Sequence, residues 1–67
     1  MSTNAITING HEFAEDHYTV FATQELADAA LKTDSRENYL EQDDIKAGMT
    51  VYVLDEETET VEIIEVK

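Results

Sequence analysis

The side chains best suited to metal binding are concentrated between His11 and His17. This segment, HEFAEDH, holds two histidines and three carboxylates, which are common ligands of transition metals. Its histidines lie six residues apart, whereas the H-E-x-x-H motif places them one helical turn apart. On strands the two rings need not converge. We therefore expect a polar strand end with His11 beside an apolar face, and no metal site.

Carboxylates elsewhere in the chain do not suggest acid–base catalysis. Catalytic carboxylates need distinct, partly buried surroundings that separate their pKa values, whereas the pairs here fall in expected turns and on expected outward faces. These pairs are Asp43 with Asp44, Glu56 with Glu57, and Glu62 with Glu65. No serine or cysteine nucleophile lies in a recognisable elbow. We therefore predict no catalytic residues, no cofactor and no small-molecule substrate, and hence a protein that is not an enzyme.

Composition limits both the size of the fold and its partners. The chain has 67 residues and a formal net charge of −12, so we expect residues 1–67 to form one small acidic domain of marginal stability, with residues 1–4 mobile. The lack of a basic patch excludes direct binding to nucleic acid. The acidic side chains keep the protein soluble, or else they face a basic partner or imitate the phosphates of DNA.

Neither membrane insertion nor export is indicated. No apolar run approaches the roughly 20 residues of a membrane span, and the N-terminus MSTNAITING lacks the basic start and apolar centre of a signal peptide. The chain has no cysteine, which fits a reducing compartment. We expect a protein that is made in the cytoplasm.

An N-terminal hairpin is predicted around Asn9-Gly10, because a two-residue type I′ turn needs positive φ at both positions. This turn would pair Ile8 with His11 and Ile6 with Phe13, with those side chains on one face. Residues 17–21 resume as a β segment with Tyr18, Val20 and Phe21 inward. Thr23 then caps a helix whose apolar stripe comprises Leu26, Ala27, Ala30 and Leu31.

Two short connections lead to the C-terminal part of the chain. Asp34 and Glu37 have the spacing of a capping box, which predicts a short helical turn over residues 35–41 carrying Tyr39 and Leu40. Lys46 to Met49 suits a type II turn with Gly48 at the position that needs positive φ. This turn delivers the chain into the most apolar segment, which begins at Met49.

The C-terminal segment MTVYVLDEETETVEIIEVK predicts a hairpin with a loop over residues 55–59. Its register is open: Leu54 faces Val61, or a shorter loop brings Val53 opposite Val61. Residues 51–54 are apolar on both faces and must be covered on both. The helix covers one face; the other needs the N-terminal hairpin or another molecule. We therefore predict a surface for a protein partner or for self-association, comprising Tyr39, Val51, Tyr52, Val53, Ile64 and Val66.

An acidic surface is the alternative binding site. It would combine two clusters, the first of which is Glu41, Asp43 and Asp44, and the second Asp55, Glu56, Glu57 and Glu59. A DNA mimic needs a dense ordered row of charges, since duplex DNA carries one per about 1.7 Å of axis. Otherwise the second cluster is a charged loop that protects an apolar, aggregation-prone hairpin.

Together these elements predict an α+β fold, with two hairpins in one small antiparallel sheet and one main helix, in a ββαββ order. A small SH3-like barrel is the alternative. Residues 18–23, the alanine-rich helix and residues 47–55 resemble small β-rich modules of bacteriophage head-fibre and tail-associated proteins, in which a helix precedes G-x-x-V-Y-V-x-D and a hairpin. The resemblance spans residues 18–66 and implies a structural or host-interaction role in a virion, such as a decoration, cement or fibre-attachment subunit. An acidic inhibitor of a host protein is the alternative function.

Overall fold

Five antiparallel strands, one α-helix and one 3₁₀ turn make up the fold in the computed structural model, which describes residues 5–33 and 36–67. The elements in chain order are β1 (Ala5–Ile8), β2 (His11–Ala14), β3 (Tyr18–Phe21), α1 (Gln24–Thr33), the 3₁₀ turn (Gln42–Asp44), β4 (Thr50–Asp55) and β5 (Thr60–Glu65). The predicted α+β class is confirmed. Residues 1–4, which we expect to be mobile, lie outside the described residues, and so does the predicted capping residue Asp34.

The N-terminal hairpin has the predicted register. Ile8 pairs with His11 and Ile6 with Phe13, and the turn residues Asn9 and Gly10 have φ values of 53° and 79°. Both values lie in the left-handed region that a type I′ turn requires. Because alternate side chains share a face, Ile6, Ile8 and Phe13 are all buried on the same side of the hairpin.

The strands form two sheets rather than the single sheet that we predicted. β1 and β2 form one sheet, while β3, β4 and β5 form the other in that order. After β2 a tight turn redirects the chain, with the His17 N–H donating to the Ala14 carbonyl at 3.0 Å. β3 therefore pairs with β4 instead of extending β2. Within residues 5–33 and 36–67 no strand pairing joins the two sheets, so the strands do not close into one continuous barrel.

β4 lies at the centre of the fold and is covered on both faces. Its residues Val51 and Val53 pack with Val20 against the β1–β2 hairpin, in what we call the hairpin core: Ile6, Ile8, Phe13, Val20, Val51 and Val53. Leu54 points the other way, into the helix core: Phe21, Ala27, Ala30 and Leu54. Of the two covers considered for the second face of β4, the hairpin is the one the chain uses. The other cover considered, another molecule, is not needed on this face.

Helix α1 begins as the sequence predicts. The Leu26 N–H donates to Thr23 Oγ1 at 3.2 Å, which satisfies one of the free N–H groups of the first turn. Ala27 and Ala30 are buried, and their small side chains bring the helix backbone close to Phe21 and Leu54. Leu31, which belongs to the same predicted stripe, is 36% exposed.

The predicted helical turn over residues 35–41 does not form in the described residues 36–41. Asn38 has a φ of 62°, and a left-handed residue interrupts a right-handed helix. Instead, Tyr39 forms a β-bridge with Phe21, and the Leu40 N–H donates to the Val20 carbonyl at 2.7 Å. The segment thus covers the outer edge of β3. Among the described residues that follow α1, the only helical turn is the 3₁₀ turn at Gln42–Asp44.

The turn into β4 and the C-terminal register both agree with the sequence. Gly48 has a φ of 91°, and the Met49 N–H donates to the Lys46 carbonyl at 3.2 Å. Leu54 faces Val61 and Tyr52 faces Ile63, which is the first of the two predicted registers. The loop contains residues 56–59. Its last residue, Glu59, has a φ of 59°, a conformation that glycine adopts at lower cost.

Candidate functional site

Two of the predicted partner-binding residues are not accessible. Val51 and Val53 are 0% and 1% exposed, because the β1–β2 hairpin packs directly on them. A protein partner could reach them only by displacing that hairpin. They stabilise the fold and do not form a surface, so their assignment to a partner surface is wrong.

The other four predicted partner residues are at least partly accessible, but they do not form one patch. Ile64 and Val66 are half-buried against the hairpin core. Tyr52 is half-buried against the helix core on the opposite face of the sheet. Tyr39 is 50% exposed. Ile64 and Tyr52 therefore face opposite sides of the three-stranded sheet, and no single flat partner surface includes both.

A row of apolar side chains crosses the helix side of the sheet. Phe21 is the cross-strand neighbour of Tyr39 on one side and of Tyr52 on the other, and Tyr52 is opposite Ile63. The row is buried at Phe21, where α1 covers it, and becomes exposed toward both ends. Ile63 has the highest exposed fraction, 59%, among the large apolar residues of the described chain. The row thus ends in an apolar surface on β5.

The outer edge of β5 carries unpaired backbone groups. The Val66 N–H donates to the Met49 carbonyl in the β4 direction at 2.7 Å. Since backbone groups alternate between the two edges of a strand, the N–H and C=O groups of Ile64 and Glu62 also point toward β4. The N–H and C=O groups of Val61, Ile63 and Glu65 point outward. Within the part of the chain that the structure describes, the N–H and C=O groups of Val61 and Ile63 have no protein partner on that side.

The Asn9 side chain covers one end of this edge. Its Nδ2 donates to the Glu65 carbonyl at 2.8 Å, and its Oδ1 accepts the Lys67 N–H at 2.8 Å. These bonds imitate the pairing that a neighbouring strand would make. We call the remaining part, the outward backbone of Val61 and Ile63 with the Ile63 and Tyr52 side chains, the β5 edge surface.

A cleft of about 360 Å³ opens beside the same strand, on the hairpin side of the sheet. Ile8, Phe13 and Val53 contribute to its apolar lining, and Asp55 and Glu62 contribute carboxylates. The Phe13 ring lies between two aromatic neighbours, with its centroid 4.9 Å from that of His11 and 5.2 Å from that of Tyr18. We call this the β5 cleft. An apolar floor with carboxylates at the rim suits a long cationic side chain.

Some carboxylates of the predicted acidic surface accept hydrogen bonds within the chain. Asp44 Oδ2 accepts the Glu41 N–H at 3.0 Å. Asp55 Oδ1 accepts the N–H groups of Glu57 and Thr58 at 3.0 and 3.3 Å. These carboxylates shape the 3₁₀ turn and the hairpin loop. The exposed members of the predicted set are Glu41, Asp43, Asp44, Glu57 and Glu59.

Glu56 has an internal structural role. Its Oε1 accepts a bond from Arg36 Nη2 at 3.1 Å, and its Oε2 accepts the Thr19 hydroxyl at 2.6 Å. Arg36 also donates through Nη1 to the Ala30 carbonyl at 3.1 Å. The carboxylate therefore ties the C-terminal loop to β3 and to the end of α1. The hydrogen bonds from Arg36 and Thr19 hold the pKa of Glu56 below the ordinary value for a glutamate.

Because the pKa of Glu56 is lower in the folded chain than in the unfolded chain, the ionised form stabilises the fold. This contribution is complete above the unfolded pKa and is lost as the pH falls through the folded pKa, which lies below the ordinary value for a glutamate. We expect Glu56→Gln to lower the free energy of unfolding by about 1 kcal/mol at pH 7 and by less at pH 3. Urea unfolding at both pH values measures the difference; Glu57→Gln, in the same loop, is the control. A constant difference between the two pH values would contradict this role.

The two histidines do not converge on a common site. His11 stacks on Phe13 at the rim of the β5 cleft, whereas His17 Nδ1 lies 4.0 Å from a Glu57 oxygen at the hairpin loop. Across residues 5–33 and 36–67, no three side chains of the metal-binding types are grouped to hold an ion.

No described helix is long and apolar enough to cross a membrane.

The sequence did not single out Ile63 or the cleft residues His11, Tyr18 and Glu62 as a binding site. The signal for Ile63 was present in the pairing of Tyr52 with Ile63, which extends the apolar row to the last strand. The cleft gave no such signal, since it forms only when the hairpin docks.

Comparison of the chain with protein-family models, with curated proteins and with solved structures finds no match.

Proposed function

We propose that this chain is a non-enzymatic protein-binding module that binds its partner through the β5 edge surface. The observation that supports the proposal is the unpaired backbone of Val61 and Ile63 beside the 59% exposed Ile63 side chain. Strand edges of this kind are templates for pairing with another chain. Proteins often cover such an edge with another part of the chain, whereas here Asn9 covers only one end.

We further propose that the module acts in assembly as a virion-associated protein, such as a decoration, cement or fibre-attachment subunit. The support for this setting is the resemblance of residues 18–66 to small β-rich modules of phage virion proteins. In that setting the chain is made in the host cytoplasm, and its partner is a capsid or fibre protein.

Retention of a partner on immobilised protein tests the proposal. Wild-type protein, Ile63→Asp and Leu31→Asp are coupled at equal density and exposed to lysate of the source cells and to dissociated source virions. Leu31 is the matched control, because it is also a partly exposed large aliphatic residue but lies on α1. We expect one protein, a capsid or fibre component, to be retained by wild type and Leu31→Asp about tenfold more than by Ile63→Asp.

Two results would overturn the proposal. One is a wild-type chain that is strictly monomeric by mass and retains nothing. The other is retention that Ile63→Asp leaves unchanged. If the retained protein binds DNA, and if DNA displaces it with an efficiency that falls steeply as salt rises, the acidic inhibitor becomes the better function. The observation that favours this alternative is the net charge of −12, with Glu41, Asp43, Glu57 and Glu59 exposed.

A further inference from the structure

We infer that the partner of the β5 edge surface is an extended segment in which apolar and basic residues alternate, and that it pairs antiparallel with β5. Its apolar side chains would lie beside Ile63 on the helix side of the sheet. Its lysine or arginine side chains would lie over the β5 cleft. This inference rests on the proposed function and adds the chemistry of the partner to it.

The backbone of β5 sets the hydrogen-bonding pattern of such a partner. Val61 and Ile63 have outward N–H and C=O groups, so partner residues opposite them exchange both hydrogen bonds with β5 in an antiparallel pair. Partner residues opposite Glu62 and Ile64 have their own N–H groups pointing away. Antiparallel pairing continues the pattern of β3, β4 and β5 and is the more stable arrangement per residue.

The helix side of β5 favours apolar partner residues. Side chains opposite Val61 and Ile63 project to the same face of the extended sheet. There they would contact Ile63 and continue the row from Phe21 through Tyr52. Each contact would remove part of the exposed Ile63 side chain from water, which is favourable for apolar groups only.

The hairpin side of β5 favours basic partner residues. Side chains opposite Glu62 and Ile64 project toward the β5 cleft, whose rim includes the carboxylates of Asp55 and Glu62. A lysine or arginine there has opposite charges across the strand pair and can lay its methylene groups on the apolar floor at Ile8 and Phe13. An acidic side chain would be repelled by these carboxylates, and a purely apolar one would gain nothing from them.

Charge argues against a second copy of this chain as the occupant. Each copy has a net charge of −12, and β5 with its loop carries Glu59, Glu62 and Glu65. Two-fold pairing of β5 with β5 would bring these glutamates together along one short edge, and like charges on paired strands are destabilising. A basic segment is attracted by the same charges, which also speed its encounter.

Short synthetic peptides test the inference directly. The probe is acetyl-KVKVKVK-amide, titrated into uniformly ¹⁵N-labelled protein, with the amide signals of Val61 and Ile63 as the readout. N-methylation of its valines removes the N–H groups that face β5, whereas N-methylation of its inner lysines removes those that face away. We expect the first change to weaken binding about tenfold, because two hydrogen bonds are lost, and the second to weaken it less than about threefold.

A charge reversal provides the matched protein variants. Glu62→Lys is expected to abolish binding of the lysine peptide and to gain binding of acetyl-EVEVEVE-amide. Glu12→Lys makes the same change in net charge on an exposed residue of the other sheet, and it should leave both peptides as in wild type. Failure of the lysine peptide to shift Val61 or Ile63 overturns the inference, as does equal binding of the N-methylvaline peptide. If Ile63-dependent retention of a natural partner persists in that case, the proposed function stands and only the partner chemistry is wrong.

Discussion

Phe21→Ala is expected to remove a large part of the protein's free energy of unfolding at 25 °C. Phe21 is 0% exposed and joins α1 to the three-stranded sheet. Removing a buried phenylalanine side chain costs about 3–5 kcal/mol through lost burial and the cavity left behind. Total stability for a chain of 67 residues is about 3–10 kcal/mol, so a single truncation removes a large part of it. Urea unfolding followed by far-UV circular dichroism measures the loss.

Leu31→Ala is the control for this substitution. Leu31 lies on the same helix but is 36% exposed, so its truncation should cost less than about 1 kcal/mol. Similar losses for both variants would mean that α1 does not pack on the sheet through Phe21. A lower midpoint with an unchanged slope of the unfolding curve is the expected form of the Phe21→Ala result.

Proline substitutions at two neighbouring residues of β5 should lower the free energy of unfolding by very different amounts. Ile64→Pro removes an N–H that points toward β4 and leaves the buried Val51 carbonyl opposite it without a partner. We expect a loss of about 2–4 kcal/mol. Ile63→Pro removes an N–H that points outward, where a strand edge tolerates proline, and we expect a loss below about 1 kcal/mol.

The same pair of variants separates folding from binding. Thermal unfolding should give nearly the wild-type midpoint for Ile63→Pro and a much lower one for Ile64→Pro. Ile63→Pro should nevertheless fail to bind the alternating lysine–valine peptide, because its ring blocks the pairing edge. The opposite order of stabilities would mean that Ile63, and not Ile64, is bonded to β4, and the edge would have to be reassigned.

The local parts of the fold were predictable from the sequence. Asn9-Gly10, Thr23 and Gly48 each need a particular backbone conformation or donate and accept particular bonds, and their effects do not depend on distant residues. The register of the C-terminal hairpin was limited to two options because the side-chain period of a strand is two. One of these options is the observed pairing of Leu54 with Val61.

The long-range arrangement was not predictable in the same way. The pattern of residues 51–54 shows two apolar faces, but it does not say whether the β1–β2 hairpin or another protein covers the second one. Likewise, the helix signal around Glu37 does not account for the left-handed Asn38 or for the bridge from Tyr39 to Phe21. The β5 edge surface depends on which edge of β4 is taken by β3, and residues 18–21 carry no signal for that choice.

The two hydrogen bonds of Asn9 also bear on the order of folding. They span 56 and 58 residues of sequence, whereas the two strands joined by Asn9-Gly10 are immediate neighbours. Contacts of long sequence separation require the closure of a large loop and tend to form late. We expect the Asn9 bonds to form after the three-stranded sheet and the hairpin have each been built. During synthesis and folding, β5 would then pass through a stage in which its whole edge is open, and the negative charges around it would be its main protection against aggregation.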